Sequence, residues 1–156
     1  MMATIKFQDY IIEESLYYSN PEFRQPSSEG ELVVEDSFNA EVGINGDGMG
    51  YVRIKTSLGN FDDIEKIENI PFSLIVSIRG IFEYILDEDE SDEQVKVLLG
   101  SNALAILYPY LRSYITFITS QSNQYPAYIL PVVNFVEMIK TEGKVNFVGF
   151  STKTEE

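Results

Sequence analysis

The chain has 156 residues, 44% of them hydrophobic and 23% charged, which is enough to bury one core without disulfide or metal staples. Its 25 acids against 11 bases leave a net charge of −14, a field that repels nucleic acid and anionic lipid and suits basic partners or plain solubility. Cysteine and histidine are both absent, which removes disulfides, thiolate and imidazole metal ligands, thiol nucleophiles and the commonest general base.

The N-terminal residues MMATIKFQDY lack the basic region and apolar core of a signal peptide, and no apolar run reaches the roughly 18 residues of a membrane span. A cytoplasmic protein is expected. From about Lys6 to Tyr18 the sequence is β-rich with imperfect alternation, which predicts a strand carrying a bulge. Asn20–Gly30 follows as a long polar loop with two prolines, and Phe23 sits in it with no local apolar pattern to serve. Glu31–Asn45 alternates as a strand, Gly46-Asp47-Gly48 supplies a turn, and Tyr51–Leu58 returns, the clearest hairpin in the chain. The glycines of GINGDGMG at 43–50 lack the Lys-Ser/Thr ending of a phosphate loop and lie between strands, so they predict a turn and no nucleotide site.

Gly59–Ile70 is an acidic connection, and Phe72–Leu86 predicts a fourth strand. Asp87–Glu93 is an acidic run. Asp87, Asp89 and Ser91 begin a calcium-loop spacing, but Asp92 stands where glycine is required and Leu98 where a bidentate glutamate is required. A solvated charge patch, open to a basic partner, is the better account. Gln94–Leu99 predicts one or two helical turns.

Gly100 then breaks the pattern, with Ser101 or Asn102 placed to cap a new helix. Leu104, Leu107, Leu111, Ile115 and Ile118 form one apolar stripe, and Ala103, Ile106, Tyr110, Tyr114 and Phe117 form a second beside it. Arg112, Thr116 and Thr119 make a narrow polar face, and Pro109 interrupts the run. A helix packed on one surface needs a stripe of about 100°; this one carries roughly twice that. Either the chain buries both stripes itself or one packs on its sheet and the other on a second copy. The short chain favours the second copy, with Leu104, Tyr110, Leu111, Tyr114, Ile115, Phe117 and Ile118 as the expected interface. After a break at Ser122–Asn123, an apolar, proline-punctuated segment runs from Tyr125 to Met138. Strands first and helices after predict an α+β fold: a four-stranded antiparallel sheet followed by a long helix and a short second helix. One domain over 1–150 and a disordered tail over 151–156 are expected.

No spacing recommends a Ser–Lys pair or a carboxylate dyad, so neither an enzyme nor a cofactor is expected. Aromatic residues in loops and late segments instead suggest a groove for extended apolar peptide. A pocket between sheet and helix holding a small ligand is the alternative.

Leu107-Tyr108-Pro109-Tyr110-Leu111-Arg112, then Tyr125-Pro126, then Leu130-Pro131-Val132-Val133-Asn134-Phe135, with Gly80-Ile81-Phe82 before them, resemble the motifs of the SecB family of protein-export chaperones in the same order. The resemblance implies an ATP-independent holdase for unfolded or precursor polypeptides. It also implies a homotetramer of paired dimers with the long helix at the interface. Peptide would lie between the loop after the first strand and the last helix, which assigns contacts to Phe23, Tyr125, Tyr128, Leu130, Val133 and Phe135. Val136–Thr141 leaves fewer than two helical turns, and Lys144–Phe150 reads as extended. In these departures the chain resembles the SecB-like branch outside classical exporters, some members of which serve one antitoxin. The implied partner is therefore the SecA motor or an antitoxin.

Overall fold

The computed structural model describes residues 4–23, 36–45, 47–59, 70–85, 92–140 and 144–150. Phe61, most of both acidic runs, residues 24–30 of the first loop and the tail from 151 lie outside them.

Strand β1 spans Thr4–Ser19, β2 Asp36–Ile44, β3 Met49–Leu58 and β4 Phe72–Ile85. These four are antiparallel, and the register of β1 on β4 shifts at Phe7/Asp9 and at Ile12/Glu14, which are the irregularities the broken alternation predicts. The four-stranded expectation needs correction. A further strand, β5 (Val145–Val148), pairs parallel with β2, so the sheet has five strands in the order β1-β4-β3-β2-β5. Lys144–Phe150 reads as extended from sequence but shows no partner there; the open edge of β2 gives Val145–Val148 its ladder.

Alternation along β3 buries Gly50, Val52, Ile54, Thr56 and Leu58, and along β4 it buries Leu74, Val76, Ile78 and Phe82. The opposite face carries an ionic lattice. Arg53 and Arg79 are cross-strand neighbours, and Glu13, the extra residue at the second shift of β1, reaches both: Arg53 Nε donates to it at 2.6 Å, and Arg79 Nε lies 3.7 Å away. Arg53 also pairs with Glu41, which accepts a hydrogen bond from Tyr51 Oη at 3.1 Å. The Tyr51 ring lies over Gly43, where an added Cβ would meet it at 2.2 Å.

Helix formation begins earlier than Gly100. Helix α1 (Asp92–Val97) continues through a π-helical turn, Leu98–Ala103, into α2, Leu104–Gln121. Neither Ser101 nor Asn102 caps anything: Ser101 is buried and its hydroxyl donates back to the Val97 carbonyl. Glycine costs a helix only about 1 kcal/mol, and burial of Leu99 and Ala103 in the core outweighs that. Pro109 lies inside α2. Ala105, whose carbonyl loses its helical partner to the proline, is exposed, so water can replace the missing bond. The helix ends where predicted, with Asn123 in the left-handed region at φ 56°.

Helix α2 lies across β1, β3 and β4. Leu104, Leu107, Leu111 and Ile115 of the first stripe are fully buried, and Gly80 leaves room for Leu107, which would sit 3.1 Å from an added Cβ. Ile106, Tyr110 and Phe117 of the second stripe remain 38%, 41% and 60% exposed. A short helix α3, Phe135–Lys140, follows, with Asn134 Oδ1 accepting from Glu137 N at its start.

Candidate functional site

The site grows from one polar residue. Asn20, at the end of β1, is buried; its Nδ2 donates to the Ile70 carbonyl at 2.7 Å, and its N–H donates to the Pro71 carbonyl at 3.0 Å. Its Oδ1 accepts from Glu22 N and its carbonyl from Phe23 N. These bonds turn the chain and set Phe23 edge-on to Tyr125, ring centroids 5.6 Å apart. Tyr125 is in turn 6.3 Å from Phe72, which stacks on Tyr17 at 5.6 Å. Thus Phe23 and Tyr125, a hundred residues apart, meet over one aromatic cluster.

The segment 126–134 is extended without a sheet partner, and α2 holds it by side chains. Thr119 Oγ1 accepts from Tyr128 N at 2.8 Å, Thr116 Oγ1 donates to the Tyr128 carbonyl at 3.3 Å, and Tyr108 Oη donates to the Pro131 carbonyl. The polar face of α2 therefore looks at this wall, and Thr119 is buried. Burial raises Tyr108, with Arg112 opposing and Asp36 adding; burial and then Asp36 raise Tyr128; burial and then Tyr17 raise Tyr125. All three hydroxyls stay protonated at neutral pH.

The wall sorts its apolar residues in two directions. Leu130 and Phe135 are buried at 4% and 6% exposure, and Phe135 packs edge-on to Tyr108 at 5.3 Å. Tyr128 and Val133 are half-buried against the core. Ile129, Val132 and Val136 face outward, 62%, 87% and 54% exposed. Of the residues expected to contact peptide, Phe23, Tyr125, Tyr128 and Val133 thus have accessible surface, while Leu130 and Phe135 belong to the chain's own core. Of the expected interface residues, Leu104, Leu111 and Ile115 are core; Tyr110 and Phe117 are exposed, and Tyr114 and Ile118 are half-buried.

Sequence reasoning missed Ile129, Val132 and Val136, because nine of the twelve residues from Tyr125 to Val136 are apolar and no period separates inside from outside. It also missed Asn20; an asparagine before proline at the end of a strand is a turn signal and nothing more specific.

No family model matches the chain. An uncharacterized protein of Methanocaldococcus jannaschii is 28% identical over 139 residues, covering 88% of this chain and 83% of that protein. The protein-export protein SecB of Anaplasma phagocytophilum is 34% identical over 84 residues, 53% of this chain and 52% of that one. Among solved structures, the SecB-like chaperone of Mycobacterium tuberculosis, in complex with a ChAD peptide from the HigA1 antitoxin, superposes with a TM-score of 0.60 at 19% identity, covering 83% of this chain and 87% of that chain. The chain has the SecB-like chaperone fold.

Proposed function

We propose that the protein is an ATP-independent holdase that binds extended apolar segments of non-native polypeptides between the Phe23 turn and the wall 125–136. The observation that carries this reading is the juxtaposition of Phe23, Tyr125, Phe72 and Tyr17 beside a segment whose Ile129, Val132 and Val136 stand exposed. Apolar surface kept in water on a pre-formed backbone suits a partner of varied sequence. Tyr108, Thr116 and Thr119 hold that backbone before any client arrives, which lowers the ordering cost of binding. The exposed stripe Ile106, Tyr110 and Phe117 supports assembly through α2 into a homotetramer of paired dimers.

The purified protein, without nucleotide, is expected to suppress aggregation of a chemically unfolded client near stoichiometric ratio. Continued aggregation at about tenfold excess rules the reading out. A second reading, a chaperone serving one antitoxin, draws on the antitoxin peptide bound by the solved relative. A client spectrum limited to one peptide, against broad protection of unrelated clients, separates the two. Delivery to the SecA motor is a further possibility of the first reading, tested by co-sedimentation with purified SecA.

A further inference from the structure

Among the described arginines, Arg53 and Arg79 are both anchored on Glu13. Arg112 has no ion pair or hydrogen bond among the described residues, and its Nε is buried without an acceptor. It lines a cleft of about 370 Å³ between the outer side of α2 and the wall, shared with Pro109, Ser113, Thr116, Phe117 and Ile129. Of the nearby hydroxyls, Tyr108 donates to Pro131 and Thr116 to Tyr128. A guanidinium whose Nε is buried beside apolar lips, with no counter-ion among the described residues, gains from an anion that pairs with it. Its planar fork matches a carboxylate bidentately.

We propose that this cleft is a carboxylate-reading subsite, in which Arg112 binds a carboxylate carried by an apolar client segment while Ile129 holds a flanking apolar side chain. The subsite rests on the holdase reading. It gives a groove otherwise selective only for apolar surface a way to fix register on the bound segment. The carboxylate is either an internal Asp or Glu or the terminal carboxylate of a cleaved chain.

The test uses the full chain and a fluorescein-labelled apolar decapeptide of alternating Val and Phe in three forms: free C-terminus, C-terminal amide, and amide with one internal Asp. Fluorescence anisotropy reads affinity and light scattering reads mass. The wild type is expected to bind at least one carboxylate form about tenfold more tightly than the plain amide, the value of one charge-assisted pair. Arg112→Gln removes that preference and leaves the amide within about twofold, while Arg112→Lys keeps part of it. The form preferred by the wild type identifies the source of the carboxylate. Equal binding of all three forms overturns the subsite and leaves the holdase reading standing; binding of none overturns both. A lower scattering mass for Arg112→Gln, with peptide preference intact, overturns the proposal in favour of a carboxylate from a second copy. The comparison of peptide forms on wild-type protein needs no variant, so a misfolded substitution does not protect the proposal.

Discussion

Asn20 does more for the site than any aromatic ring in it. It satisfies two carbonyls of the β4 approach and two amides of its own turn, so removing its side chain strands the Ile70 carbonyl and the Glu22 N–H together. Asn20→Ala is expected to lower the unfolding free energy by about 1–3 kcal/mol, the cost of buried groups left unpaired, and to weaken peptide binding because Phe23 loses its seat against Tyr125. Urea denaturation and anisotropy check both; unchanged stability means that the turn is held by something other than Asn20. Asn20→Asp keeps the acceptor for Glu22 N but sets a buried carboxylate oxygen against the Ile70 carbonyl, so its loss is at least as large.

Helix α2 separates two roles along its length. The stripe Leu104, Leu107, Leu111 and Ile115 is fully buried, so Leu111→Ala is expected to cost about 2–5 kcal/mol in urea unfolding, as large-to-small core changes do. Phe117, at 60% exposure, lies outside that core. Phe117→Asp is expected to leave the single chain folded while lowering its scattering mass, since an assembly would otherwise have to bury an unpaired carboxylate. A mass unchanged by Phe117→Asp, or already that of one chain in the wild type, removes the helix from the interface. The same stripe argument from sequence put Leu111 at the interface; its full burial within the chain makes it a stability probe instead.

Across the whole molecule, charge is arranged so that the open face of the sheet is internally compensated. Glu13 joins Arg53 of β3 and Arg79 of β4, and Lys55 lies 3.7 Å from Glu14. The Arg53 hydrogen bond holds the Glu13 carboxyl below its ordinary 4.5, despite some desolvation in the other direction. A depressed folded value stabilises fully above the unfolded one and is lost as pH falls through the folded one. Stability is therefore expected to fall below pH 4.5, and Glu13→Gln is expected to flatten that fall. Urea unfolding of both proteins at about pH 6 and about pH 3 measures it; parallel losses assign the acid sensitivity to other carboxylates. The opposite edge of the sheet is closed by β5, held to α1 by Lys96 within 5.6 Å of Phe147 and 5.5 Å of Phe150.

Much of the secondary structure was legible because its signals are local. The hairpin of β2 and β3 follows from alternation around a glycine turn, the bulged β1 from its broken period, and the end of α2 from Ser122–Asn123. Two stripes on α2 were legible as well, but not which side chains the chain itself would cover: Leu104, Leu111 and Ile115, expected at the interface, are buried in the core. The start of the helix was not, since burying Leu99 and Ala103 overrides the preference of Gly100 to interrupt. Lys144–Phe150 was legible as extended, but not the pairing of β5, which depends on an edge that exists only once the sheet has formed. The site divides in the same way. Its apolar composition at Phe23 and Tyr125–Phe135 is written in the sequence. Which of those side chains turn outward, and that Asn20 and Arg112 stand behind them, is decided by tertiary contacts such as Thr119–Tyr128, Tyr108–Pro131, Asn20–Ile70 and Phe23–Tyr125, for which no period in the chain provides a signal.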